Sequence, residues 1–189
     1  MKKVLFLAYY FPPLGMGGTQ RPAKFARYLP QFGWQPTVIT VKPISYWAND
    51  ELALEELSQV RIIRTESFDP QRLLVRLRGN QPAAKKVATK GFLHFINEKL
   101  FPFLCVPDTK ILWKHDCLAI AARLLKNENF DALFTTSPPH SVHLIGQKIS
   151  QKYRLPWLAD VRDSWAGGLV VHEPTPLQRM INEKLQKDV

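Results

Sequence analysis

The sequence is poor in cysteine and in acidic residues, and it contains no long apolar run. Two cysteines in 189 residues, Cys105 and Cys117, cannot staple a chain of this length. That excludes a small disulfide scaffold and fits reduced thiols in a cytosolic protein. No stretch approaches the roughly 18 apolar residues that a spanning helix needs. The first apolar run stops at Pro12 and Pro13, too early for a secretory signal, so a cytoplasmic protein is expected. Sixteen acidic residues against 26 basic ones leave a formal net charge of +10, which favours an anionic partner such as nucleotide phosphates or lipid headgroups. Between Gln71 and Asn97 acidic residues are missing altogether, while Arg72, Arg76, Arg78, Lys85, Lys86 and Lys90 all fall there. Several reaction signatures are also missing. The chain has no Gly-x-Ser-x-Gly elbow and no Gly-x-x-x-x-Gly-Lys-Ser/Thr loop, and His172-Glu173 lacks the second histidine of a zinc protease. Charge is the only feature that points to nucleic acid; a basic recognition helix and an RNA-stacking motif are both lacking, so no nucleic-acid partner is expected.

What is present is a hydrophobic content of 46%, enough for one full core. Residues 3–10 are continuously apolar after the first lysine, the mark of a parallel strand covered on both faces. Breakers follow over residues 11–18. Thr19 then stands as an N-cap, and Phe25, Leu29 and Phe32 at i, i+4 and i+7 predict an amphipathic helix over 20–29, stopped by Gly33. Residues 37–41 read as a second strand, completing a βαβ unit. Further strands are expected at 60–65, 131–136 and 155–161. Helices are expected at 52–57, 92–100, 111–126, 140–153 (capped by Ser137 or Ser141) and 174–187. In the third of these Leu118, Ala121, Ala122 and Leu125 should face inward, and in the last Leu177, Met180, Ile181 and Leu185 share one side. Alternating strands and helices imply an α/β, Rossmann-like parallel sheet with helices on both faces, in a single domain with a basic excursion at 71–92.

In such sheets ligands bind beyond the carboxyl ends of the strands, where three loops carry unusual residues. The first holds Gly15, Gly17 and Gly18 ahead of a helix with Arg21 in its first turn. Glycines admit close backbone approach, the helix N-terminus attracts phosphate or carboxylate, and Arg21 can neutralise an anion. A dinucleotide fingerprint is incomplete, because Gln20 stands where the third glycine belongs and the second strand ends in Val41-Lys42 with no acid. The second loop is Thr136-Ser137-Pro138-Pro139-His140-Ser141, with His140 at a helix N-terminus whose positive end disfavours imidazole protonation. A neutral imidazole there suits a sugar hydroxyl; capping is the alternative. His140 and His143 lack the carboxylate or cysteine neighbours of a metal site, so no metal is expected. The third loop is Asp160-Val161-Arg162-Asp163-Ser164-Trp165. Asp160 is expected in a structural ion pair, Arg162 in a pair with Asp163 or at substrate, and Asp163 at the substrate edge.

Taken together, Tyr9-Tyr10-Phe11-Pro12-Pro13 with Gly15-x-Gly17-Gly18, Thr136-Ser137-Pro138-Pro139-His140-Ser141 and Pro156-Trp157-Leu158-Ala159-Asp160-Val161-Arg162-Asp163-Ser164-Trp165 resemble the N-terminal, acceptor-side domain of family 4-like (group 1) glycosyltransferases of the GT-B fold. Val106-Pro107-Asp108 with Trp113 fits the same group. The resemblance covers nearly the whole chain, least well at 71–92. It implies a two-domain enzyme in which this half holds the acceptor and an absent C-terminal half holds the nucleotide-sugar donor. It also implies that the 189 residues alone are inactive. The implied partners are a nucleotide-sugar, a saccharide or lipid-linked acceptor, and an anionic membrane surface met by residues 72–78 and 99–104. The implied reaction needs no cofactor or metal, mostly retains anomeric configuration, and serves cell-surface polysaccharide synthesis in the cytoplasm or at the inner face of a membrane. Gly17 and Gly18 match the loop that approaches donor phosphates or acceptor. His140 and Asp163 match positions lining the cleft, and no residue is assigned as catalytic. A sugar- or nucleotide-binding module without turnover is the alternative.

Overall fold

The structure is a computed structural model that describes residues 1–15, 17–43, 50–68, 105–163, 165 and 175–189. The expected helix at 92–100, the basic stretch at 71–92, the apolar segment at 99–104 and Gly167-Gly168 lie outside these residues.

The continuous apolar run becomes β1 (Lys2–Leu7), the central strand. It pairs in parallel with β2 (Trp34–Val41) on one side and β4 (Ala132–Thr136) on the other. β3 (Arg61–Thr65) extends the sheet beyond β2, and β5 (Trp157–Asp160) extends it beyond β4. The order is therefore β3-β2-β1-β4-β5, all parallel. The helices are α1 (Gly17–Tyr28), α2 (Glu51–Glu55), α3 (Lys114–Asn127), α4 (Ser141–Tyr153) and α5 (Pro176–Asp188). Two layers of core enclose the sheet. On one face Ala23 and Ala26 of α1 pack with Phe6, Ala8 and Val38. On the other, Cys117, Ala121 and Leu124 of α3 and Ile145 and Ile149 of α4 pack with Leu5, Leu7, Ile39 and Leu133. This is a Rossmann-like α/β fold with helices on both faces.

Local departures from the sequence reading have physical causes. α1 starts at Gly17, so Thr19 lies inside the helix; its hydroxyl donates to the Leu14 carbonyl at 2.8 Å and does not cap. The buried side of α1 is Ala23 and Ala26, while Phe25 is exposed and Phe32 is 77% exposed. Small residues let the helix approach the sheet, and the Phe25 ring lies at the helix's flank against Phe134, centroids 5.7 Å apart. A 3-10 turn at Leu29–Phe32 follows and is closed by Gly33 in the left-handed region, φ 79°. The helix expected at 111–126 opens as a 3-10 turn, Thr109–Trp113, before α3 begins. α5 turns Gln178 and Asn182 inward, leaving Leu177, Met180 and Ile181 exposed. Among the described residues no helix is long and apolar enough to cross a membrane.

Candidate functional site

The chain leaves β1 toward α1 on one face and leaves β4 toward α4 on the other. The strand order thus reverses between β1 and β4, which opens a crevice at their carboxyl ends. β5 ends beside it, since Thr136 registers with Asp160.

Asp160 binds three elements together. Its Oδ1 accepts from Arg21 Nη2 at 2.8 Å, and its Oδ2 accepts from Arg21 Nε at 3.1 Å and from Thr136 Oγ1 at 2.8 Å. The planar guanidinium fork matches the carboxylate. The structural ion pair expected of Asp160 is present, but its partner comes from 139 residues upstream.

Arg162 is the second tie. Its Nε donates to the Ser137 carbonyl, its Nη2 donates to the Gly18 carbonyl at 3.0 Å, and its backbone N–H donates to Ser137 Oγ at 2.9 Å. The Gly18 bond follows from the sequence of α1. Pro22 sits inside that helix and has no N–H, so the carbonyl four residues earlier loses its helical donor. Arg162 supplies a replacement. The expected pairing of Arg162 with Asp163 is absent, since its donors are turned to backbone carbonyls. Gly18 itself has open space where a Cβ would stand, so packing does not require glycine there. Asp163, exposed on the rim, adopts φ 65°, a region L residues seldom occupy.

The second loop is fixed from a distance. Neither Ser137 nor Ser141 caps α4 with its own hydroxyl. Instead Asp108 reaches across, its Oδ2 accepting from the Ser141 N–H at 2.9 Å and its Oδ1 from Ser141 Oγ at 2.8 Å. Oδ1 also accepts from the Lys110 N–H at 2.9 Å. Burial pushes the Asp108 carboxyl above the usual range, although these bonds and the nearby His140 pull the other way.

His140 is 5% exposed, and its ring lies parallel to Trp165, with centroids 5.2 Å apart and an interplanar angle of 10°. Its imidazole is pushed toward the neutral form, as expected. The main cause is burial, against the opposing charges of Asp108 and Asp163. Below it, Thr135 Oγ1 accepts from Trp157 Nε1 at 2.9 Å and lies 2.8 Å from His143 Nδ1. The hydroxyl keeps a second lone pair and its proton beside the indole contact, so it serves either tautomer of His143, donating to a bare Nδ1 or accepting from Nδ1–H. Burial lowers that imidazole to about 4.

The fold therefore brings the three predicted loops to one rim. Gly18 and Arg21 lie across the ties from Ser137 and Asp160, with His140 over Trp165 and Asp163 beside them. Gly17 opens α1 and Gly15 closes the preceding loop. Among the described residues no group of three or more His, Cys, Asp or Glu is placed to hold a metal ion. The sequence reading did not single out Asp108 as a cap, Arg162 as a tie, Trp165 as a stacking partner, or Gly146 of α4. A Cβ on Gly146 would run into the Thr135 methyl and come within 3.0 Å of Trp157 Nε1. The missing N–H of Pro22 was the one local signal that could have revealed the Arg162 tie.

No family model matches the chain, and no curated protein matches its sequence. Eight solved chains share its backbone course. One is the C-terminal domain of a hydrogenase from Pyrococcus furiosus, 13% identical, with 85% of this chain and 91% of that one covered and a TM-score of 0.47. MurG from Acinetobacter baumannii is 19% identical over 84% of this chain and 34% of its own, with a TM-score of 0.44. A glycosyltransferase from Rickettsia africae is 17% identical over 87% and 31%, with a TM-score of 0.43. The chain thus spans about a third of the length of those two proteins. These are likenesses of backbone alone, and nothing about activity follows from them.

Proposed function

We propose that this chain is the acceptor-side half of a retaining glycosyltransferase that moves a sugar from a nucleotide-sugar to a saccharide or lipid-linked acceptor. The observation that carries the reading is the tying of three motif-bearing loops at the β1/β4 switch point, through Arg21 to Asp160 and through Arg162 to Gly18 and Ser137. The rim so formed is one wall of a cleft. The N-terminal N–H groups of α1 provide dipoles for a phosphate or carboxylate. His140, held neutral, meets a sugar hydroxyl as donor or acceptor through the nitrogen not sealed from solvent, and Asp163 accepts from another. Among the described residues no side chain on this rim is assigned as a general base, and none is needed where developing charge is met by fixed N–H dipoles. The opposite wall would come from a second Rossmann-like domain carrying the donor. Docking on an anionic membrane surface and a place in cell-surface polysaccharide synthesis belong to the same proposal.

Titrating the isotope-labelled 189-residue chain with uridine- and guanosine-diphosphate sugars and with saccharide acceptors tests this. The expected result is chemical-shift change at Gly18, His140 and Asp163. Silence at all three under saturating concentrations of every ligand removes the reading. Transfer by a protein that contains the second domain would then separate an enzyme from a binding module.

A further inference from the structure

Three polar atoms in one small region have no hydrogen-bond partner and no contact with solvent: His140 Nδ1, His143 Nε2 and Trp165 Nε1. Native proteins rarely leave such atoms sealed, and where they cluster, a local rule has been set aside for some other end. The same region holds Asp163 in the left-handed backbone region, two residues before Trp165. The Trp165 indole lies fully buried and parallel to the His140 ring. Trp165 also contacts His143, with centroids 6.1 Å apart at 39°, which places one indole against both imidazoles of the first turn of α4. The backbone of His140 is fixed independently, because Asp108 holds the following residue, Ser141. What the cap cannot fix is the rotation of the imidazole itself, and among the described residues no hydrogen bond holds its Nδ1.

We propose that Trp165 is a positioning residue for His140: the stacked indole sets the plane of the imidazole, so that Nδ1 stays turned inward and Nε2 is presented at the rim. The sealed atoms are then a consequence of the clamp. A face-on indole offers no acceptor to Nδ1, which is buried and meets no other partner among the described residues. This inference rests on the proposed ligand role of His140, but its test needs no ligand, so the two can fail separately.

The test is proton and long-range nitrogen-15 NMR of the imidazoles in the full 189-residue chain, with His140 assigned by His140→Gln. A stacked indole shifts the ring protons of His140 upfield of those of exposed His115. The nitrogen spectrum should show one fixed tautomer, and the titration midpoint should lie below the ordinary imidazole value of 6.5. In Trp165→Leu the upfield shift is lost, the tautomers mix, and the midpoint moves up; in Trp165→Phe, which keeps an aromatic face, the shift and the fixed tautomer persist. The charged and titratable groups facing this ring are Asp108 from the turn before α3, Asp163 from the β5 loop and His143 from α4. They are unchanged in both variants. The proposal is overturned if the wild-type His140 ring protons resonate like those of His115 and its tautomers mix, a result that needs no variant and is immune to misfolding. It is equally overturned if folded Trp165→Leu retains the wild-type His140 signals.

Discussion

At the scale of single residues, burial decides which groups here carry charge. His143 has no solvent exposure, its Nδ1 is hydrogen-bonded to the Thr135 hydroxyl, and its imidazole protonates only at about 4. In the unfolded chain the same group protonates near 6.5. As pH falls from about 6.5 to about 4 the unfolded state takes up a proton that the folded state refuses, so stability declines across that window and levels below it. The difference corresponds to about 3 kcal/mol for this one group. His140 shifts in the same direction for the same reason and adds to the decline. The Asp108 carboxyl, raised by burial, works in the opposite sense, since the folded state gains a proton before the unfolded one as acidity increases. Urea unfolding at a series of pH values should show the wild-type midpoint dropping between neutral pH and about 4, with the drop clearly smaller in His143→Gln. Equal drops in the two proteins would mean that His143 is not sealed as described.

At the scale of elements, the fold was legible in the sequence and the ties between loops were not. Strands announced themselves because a parallel sheet covered on both faces favours apolar and β-branched runs, unbroken at residues 4–8 and β-branched throughout at 37–41. Helix faces were less readable. In α1 the sheet accepts Ala23 and Ala26 and turns Phe25 outward, and in α5 two polar residues, Gln178 and Asn182, take the inner side. The cap of α4 could not be found by inspecting α4, because its acceptor lies 33 residues upstream at Asp108. Asp108→Ala leaves the Ser141 N–H without an acceptor at a buried site and should destabilise the chain by about 1–3 kcal/mol, with Asp108→Asn recovering part of it through its amide oxygen. Thermal melts of the two variants check this, and equal stability of wild type and Asp108→Ala would show that the cap is dispensable. Gly146 makes a second element-level prediction. It lets α4 lie close to β4 and β5 at the point where Thr135, His143 and Trp157 meet. Gly146→Ala, though favourable for an isolated helix, should therefore destabilise by about 1–3 kcal/mol through overpacking, and the Trp157 indole N–H resonance should shift. A gain in stability would show that the helix has room to move away.

At the scale of the whole molecule, connectivity determines which sheet faces are covered. The β1-to-β2 connection lays α1 over one face, while α3 and α4 both cover the other. On the α1 side the sheet surface over β4 and β5 forms a groove of about 350 Å³ lined by Phe6, Phe25, Leu29, Trp34, Phe134 and Leu158 among others. Phe134 is anchored by ring contacts with Phe6 at 4.5 Å and Phe25 at 5.7 Å, whereas Leu158 is 64% exposed in the middle of a strand. Apolar surface of this kind binds hydrophobic dyes whatever else it does. The chain should accordingly enhance the fluorescence of 8-anilinonaphthalene-1-sulfonate while fully folded, and Leu158→Asp should remove much of that enhancement. Because Leu158 is already in water, the substitution should change stability by no more than about 1 kcal/mol. Phe134→Ala differs on both counts: it enlarges the groove and removes two ring contacts, so it should lower stability by about 3 kcal/mol without abolishing dye binding. Fluorescence that is insensitive to Leu158→Asp, measured beside an unchanged unfolding curve, would place the dye elsewhere and show that this face of the sheet is closed in solution.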